Sequence, residues 1–153
     1  SAFTDAVIAN FGRTSERYQV RAYKPIKLPN IDPAPDFVKP QKRHVIGIDI
    51  FVESALPAEA IGKSLEHLAL ETPVKLKMIS NRGTKVYPPT GAMTDCVDHW
   101  RCRFILRDAG GDLDDSTVFD LLQRIAAQYR WMHVEKLQEF DGVSGFTMAQ
   151  GED

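Results

Sequence analysis

Apolar and polar positions change period several times along this chain. Near the start, Phe3, Val7 and Phe11 recur at i, i+4 and i+8, the spacing of one helical face, and Gly12 stands where a helix C-terminal glycine belongs. About ten residues is too short for a helix to hold alone in water, so this one is expected to dock. Two supports fit: its own domain, or an upstream domain of which it is the last helix, opened without a cap. The pattern then lapses. Residues 24–40 hold five of the nine prolines, Pro25, Pro29, Pro33, Pro35 and Pro40. Each fixes its own φ and restrains the residue before it, so the run reads as extended and stiff. Pro33-Ala34-Pro35 has polyproline II character, which suits an interdomain arm over 13–43 better than a PxxP-type ligand.

A period of two begins after Arg43. His44 to Glu53 (HVIGIDIFVE) predicts a strand with Ile46, Ile48, Ile50 and Val52 on one face and Val45, Gly47, Asp49 and Phe51 on the other. Pro57 stands at a first helical position, and Ile61, Leu65 and Leu68 predict a helix to about Leu70. Val74 to Ser80 alternates with Leu76 and Met78 inward. Arg101 to Arg107 alternates with Cys102, Phe104 and Leu106 inward. Asp114, Asp115 or Ser116 caps a second helix striped by Val118, Leu121, Leu122, Ile125, Ala126 and Tyr129. Met132 to Leu137 is a last strand.

The order βαββαβ over 44–140 predicts an α+β fold of the ferredoxin-like plait type. That is an antiparallel four-stranded sheet with both helices on one face, preceded here by a helix and a Pro-rich arm and followed by a tail over 141–153. The connection 81–99 is long for a hairpin, so it is expected to be functional or to hold extra structure, with Val86 and Tyr87 as a short added strand. Asn81-Arg82-Gly83 is a turn.

A two-layer plait leaves one sheet face to be covered by something else. The alternation puts Asp49, Phe51, Lys75, Lys77, Ile79, Arg101, Arg103, Ile105, His133 and Glu135 there. The assignment holds only if no one-residue slip occurs. Basic residues on adjacent strands invite an RNA reading, but base stacking needs outward aromatics on both middle strands. Phe51 serves the first; on the third, Phe104 points inward. The face is therefore expected to be a protein interface, with no nucleic acid and no membrane among the partners.

Composition sets the class. Apolar residues at 43% and charged residues at 26% over 153 residues suit one globular domain with an arm, not a disordered chain. No run of 18 apolar residues and no basic-then-apolar leader occurs, and two cysteines make no disulfide framework, so a cytoplasmic setting is expected. The net charge of −2 hides an asymmetry: residues 13–43 carry eight Lys/Arg against three Asp/Glu, and residues 108–153 carry three against ten. The basic stretch suits an acidic partner, the rest of its own protein included. Candidate chemistry is thin. Cys96, His99 and Cys102 are spaced temptingly for a metal, but Cys102 belongs to the core face and no CxxC or HxxxH pair supports zinc. Residues 83–85 lack the glycines of a phosphate loop. His133 with Glu135 suits an ion pair better than acid–base work. No catalytic, cofactor or metal residue is expected in this chain.

Several long strings carry a resemblance. LKMISNRGTKVYPPTG (76–91), DHWRCRF (98–104), RWMHVEKLQEFDG (130–142) and GFTMAQGED (145–153) resemble the C-terminal extension of long bacterial isocitrate dehydrogenases, as do TDAVIANFG (4–12) and QVRAYKPIKLP (19–29). The resemblance implies a parent enzyme that oxidises and decarboxylates isocitrate to 2-oxoglutarate, with NADP (NAD in some members) and Mg²⁺ or Mn²⁺. It implies that the catalytic groups lie in a preceding domain, since none of their motifs is present here. The opening helix resembles the last helix of that domain, and the remainder resembles an extra domain associated with subunit contacts. The expected partners are the chain's own catalytic domain and a second subunit. A rival expectation is a regulatory plait that binds a small effector at Asn81, Arg82, Thr84, Lys85 and Tyr87.

Overall fold

A computed structural model describes residues 1–19, 21, 23–28, 30 and 40–152. The chain divides into two units, Ser1–Val38 and Lys39–Asp153. The first contains helix α1 (Ala2–Ala9). Contrary to the cap-less expectation, the Ser1 side chain caps it, accepting from the Thr4 N–H at 3.4 Å. No residue of α1 is buried. The described residues between 13 and 30 form neither helix nor strand. Pro29 and the polyproline reading of Pro33-Ala34-Pro35 lie outside the described residues.

The second unit holds strand β1 (Arg43–Glu53), helix α2 (Ala58–Leu68), strands β2 (Val74–Asn81), β3 (Thr84–Tyr87) and β4 (His99–Leu106), helix α3 (Asp115–Ala126), and strands β5 (Arg130–Phe140) and β6 (Val143–Ser144). They form one antiparallel sheet ordered β3-β2-β4-β1-β5-β6. The expected sheet had four strands; β3 and β6 extend it at the two edges. Both additions arise from two-residue turns, Arg82-Gly83 (φ 50° and 83°) and Asp141-Gly142 (φ 51° and 83°). Paired left-handed residues of this kind match the twist of the flanking strands.

Both helices pack on the same sheet face. Ile61 and Leu65 of α2, with Val118, Leu121 and Ile125 of α3, meet Ile48, Ile50, Val52, Val74, Trp100, Cys102 and Phe104. Pro57 stands just before α2 as its N-cap rather than as its first residue. Asp114 caps α3, its Oδ1 accepting from the Thr117 N–H at 2.8 Å.

The alternation fails at β-bulges. The β2–β4 register skips a residue between Leu76 and Met78. Beyond the skip the faces exchange, as a one-residue insertion requires. Ile79, expected on the uncovered face, pairs with Cys102 and is buried in the helix-side core, whereas Met78, expected in that core, pairs with Arg103 and is buried on the opposite face. A second skip, between Val45 and Gly47 of β1, puts Val45 against the helix-side core and turns Ile46 to the other face.

Candidate functional site on the second sheet face

The sheet face away from the helices is largely covered by the chain itself. After β6 the C-terminal segment turns back over the sheet. Gly145 N–H donates to the Gln138 carbonyl at 2.8 Å, next to β6. At the far edge Gln150 forms a parallel bridge with Thr84; Lys85 N–H donates to the Gln150 carbonyl at 2.9 Å, and Gln150 N–H donates to the Gly83 carbonyl at 2.8 Å. The segment thus crosses from the β5–β6 side to β3. The expected tail is a cover.

Beneath it lies a buried charge network centred on Arg103. The guanidinium donates through Nε and Nη2 to the two Asp49 carboxylate oxygens, both at 2.8 Å. Nη1 donates to both Glu152 oxygens, at 2.9 and 2.8 Å, and Nη2 also reaches the Thr147 carbonyl at 3.1 Å. The Phe146 ring lies 4.7 Å from the guanidinium carbon. Arg103 and Asp49 are each 1% exposed. Burial acts to raise the Glu152 carboxyl, but the Ala149 N–H, the Arg103 guanidinium and the Lys77 ammonium outweigh it and hold it below the usual 4.5. Met78, Leu137 and Ala149 are buried on this side as well.

The expected interface set therefore separates. Asp49 and Arg103 are enclosed, so their expected exposure is corrected: Glu152 supplies the second carboxylate that lets a guanidinium stay buried. Lys77 is half-buried against Glu152 at 3.2 Å. Ile105 lines a cavity of about 450 Å³ together with Ile46, Phe146 and Met148. Lys75 is exposed. At the uncovered end Phe51 stacks on His133 with ring centroids 3.8 Å apart, next to exposed Glu135 and half-buried Arg101.

The expected effector residues are not gathered at one surface. Asn81 is buried and clamps the following loop, donating to the Val97 and His99 carbonyls at 2.7 and 3.1 Å and accepting from the Val97 N–H at 3.0 Å. Tyr87 is a core residue; burial first, then the nearby Glu66 carboxylate, raises its phenol above the ordinary value. Thr84 and Lys85 are half-buried where Gln150 joins β3; of the five expected residues Arg82 alone is exposed. Cys96 is exposed and Cys102 buried. Burial, and secondarily the Asp49 charge, pushes the Cys102 thiol far up, so it is inert. Among the described residues no three His, Cys, Asp or Glu side chains are grouped to hold a metal.

The family model described as "Bacterial isocitrate dehydrogenase, C-terminal domain" matches residues 43–152, which includes the whole sheet and the covering segment. The chain belongs to this family. An isocitrate dehydrogenase [NADP] of Thermus thermophilus is 57% identical over 151 residues, 99% of the chain and 30% of the relative. One of Rickettsia felis, of the same name, is 36% identical over 112 residues, 72% of the chain and 23% of the relative. A crystal structure of the TT0538 protein from Thermus thermophilus superposes with a TM-score of 0.75 at 56% identity, covering 99% of the chain and 30% of that structure's chain. The chain thus spans about a third or less of the relatives that it matches. The Thermus relative matches the opening residues as well as the family domain.

Proposed function

We propose that this chain is the C-terminal accessory part of an NADP-dependent isocitrate dehydrogenase, serving subunit assembly and stability without an active site of its own. On this reading the parent enzyme oxidises and decarboxylates isocitrate to 2-oxoglutarate, with NADP and Mg²⁺ or Mn²⁺ held in a preceding catalytic domain, in the cytoplasm. Helix α1 is the last helix of that domain, and 13–43 is the arm leading from it. The order β2-β4-β1-β5, with α2 and α3 on one face, supports a ferredoxin-like plait as the core of the sheet, widened by β3 and β6.

The observation that carries the assembly reading is the outer edge of β5. One side of β5 pairs with β1 from end to end, whereas the other meets β6 only at Glu139 and Phe140. Among the described residues, the edge from Arg130 to Leu137 has no strand partner. An unpaired edge is a template for adding a strand from another chain. Arg130, Glu135 and Lys136 along it restrict pairing to a complementary partner. Beside the edge, Phe51 and His133 offer a stacked apolar surface, and Trp131 is 44% exposed. A second subunit is the partner proposed.

Deleting residues 43–153 from the full-length enzyme tests this. The expected result is a smaller oligomer or a lower unfolding temperature, with isocitrate and NADP still bound by the remaining subunit. An unchanged oligomer of unchanged stability overturns it.

A further inference from the structure

We infer that the pocket bounded by β2, its turn into β3, and β4 binds a small oxyanion: a carboxylate or phosphate group on a free small molecule. The pocket, of about 260 Å³, is lined by Phe51, Ser80, Arg82, Gly83, His99 and Arg101. Two guanidinium groups line it and no carboxylate does. This goes beyond the assembly reading and does not depend on it.

The decisive atom is Arg101 Nη2. Arg101 Nε is engaged, donating to Ser80 Oγ at 3.1 Å and lying 3.7 Å from Asp49 Oδ2. Nη2 is buried and has no hydrogen-bond partner among the described residues. Buried donors in native folds are almost always satisfied, so an orphaned one marks a place where an acceptor belongs. Asp49 already gives both its oxygens to Arg103 at 2.8 Å. An acceptor entering the pocket would complete the bonding of Nη2, and a guanidinium edge suits carboxylate and phosphate oxygens.

Charge points the same way. Arg101, Asp49, Arg103, Glu152 and Lys77 are linked by ion pairs in a row of three cations and two carboxylates. Both carboxylates contact Arg103, and the orphaned atom lies at the Arg101 end. Arg82 adds an exposed cation there, on a backbone held left-handed at φ 50°. Glu135 is opposite Asp49 on β1 but does not line the pocket. The Phe51 ring, held by its stack on His133, forms an apolar wall. That wall and the volume suit an inorganic anion or a small organic acid.

The test is calorimetric titration of the 153-residue chain with inorganic phosphate and, separately, with citrate at constant ionic strength, paired with amide NMR. Saturable one-site binding of at least one of them is expected, with shifts centred on residues 80–83 and 99–101. Arg101→Met should weaken it at least tenfold. Arg82→Asn, which tolerates the left-handed backbone, should weaken it about threefold or more. If Arg101→Met does not fold, Arg82→Asn decides. Failure of both anions to saturate, or affinity unchanged in Arg82→Asn, overturns the inference. Saturation by one anion alone supports it and says which oxyanion the pocket prefers.

Discussion

At Arg103 the question is what a buried guanidinium costs when one of its acceptors is lost. Asp49 and Glu152 together take four of its hydrogen bonds, and neither carboxylate is more than slightly exposed. Removing the shared partner leaves two buried carboxylates with only the longer contacts to Arg101 at 3.7 Å and Lys77 at 3.2 Å. Arg103→Met should therefore cost about 3–5 kcal/mol in denaturant unfolding, far more than loss of a surface pair. Glu152 gives the network a pH dependence. Its folded carboxyl lies below 4.5, so its stabilisation is complete above about 4.5 and is lost as pH falls through the lower folded value. Glu152→Gln should lower stability at neutral pH by about 1–3 kcal/mol and flatten the acid-side decline, as read from melting temperature against pH. Half of this network is legible in the sequence: alternation puts Asp49 and Arg103 on one face. Glu152 is not, because it lies 49 residues beyond Arg103 and meets it only through the turn after β5.

At the scale of elements, periodicity identifies both helices and the four inner strands, since each buries one face and its apolar spacing follows. Bulges escape it. An inserted residue between Leu76 and Met78 reverses the faces beyond it, yet leaves no signature in the side chains, so Met78 and Ile79 exchange roles. The second hairpin has a signal of its own, Asp141-Gly142 after a strand, but only two residues of β6 follow it, too few for an alternation to show. The added strand at β3 is expected from Val86 and Tyr87, and its packing gives a sharp test. A Cβ on Gly62 of α2 would meet the Tyr87 ring at 2.5 Å. Gly62→Ala should lose about 1–3 kcal/mol despite the better helix propensity of alanine, because the ring is confined in the core. Equilibrium unfolding measures it; a stabilised variant would mean that Tyr87 moves aside freely.

For the whole molecule, the long strings through β2, β4, β5 and the covering segment make the family legible in the amino-acid sequence alone. The proposed role in assembly is not legible there, because an interface has no fixed spacing in one chain's sequence. The uncovered face shrinks with Asp49 and Arg103 enclosed, and the outer edge of β5 with Phe51 and His133 remains as the surface we propose for a second subunit. His133→Glu, next to Glu135, should weaken such an association at least tenfold while leaving the buried network intact. The measurement closest to the central claim is light scattering after size exclusion on the 153-residue chain at several concentrations. The prediction is a mass at least twice 17.2 kDa that falls toward the monomer on dilution and in His133→Glu. A mass of 17.2 kDa at every concentration would contradict self-association through this domain.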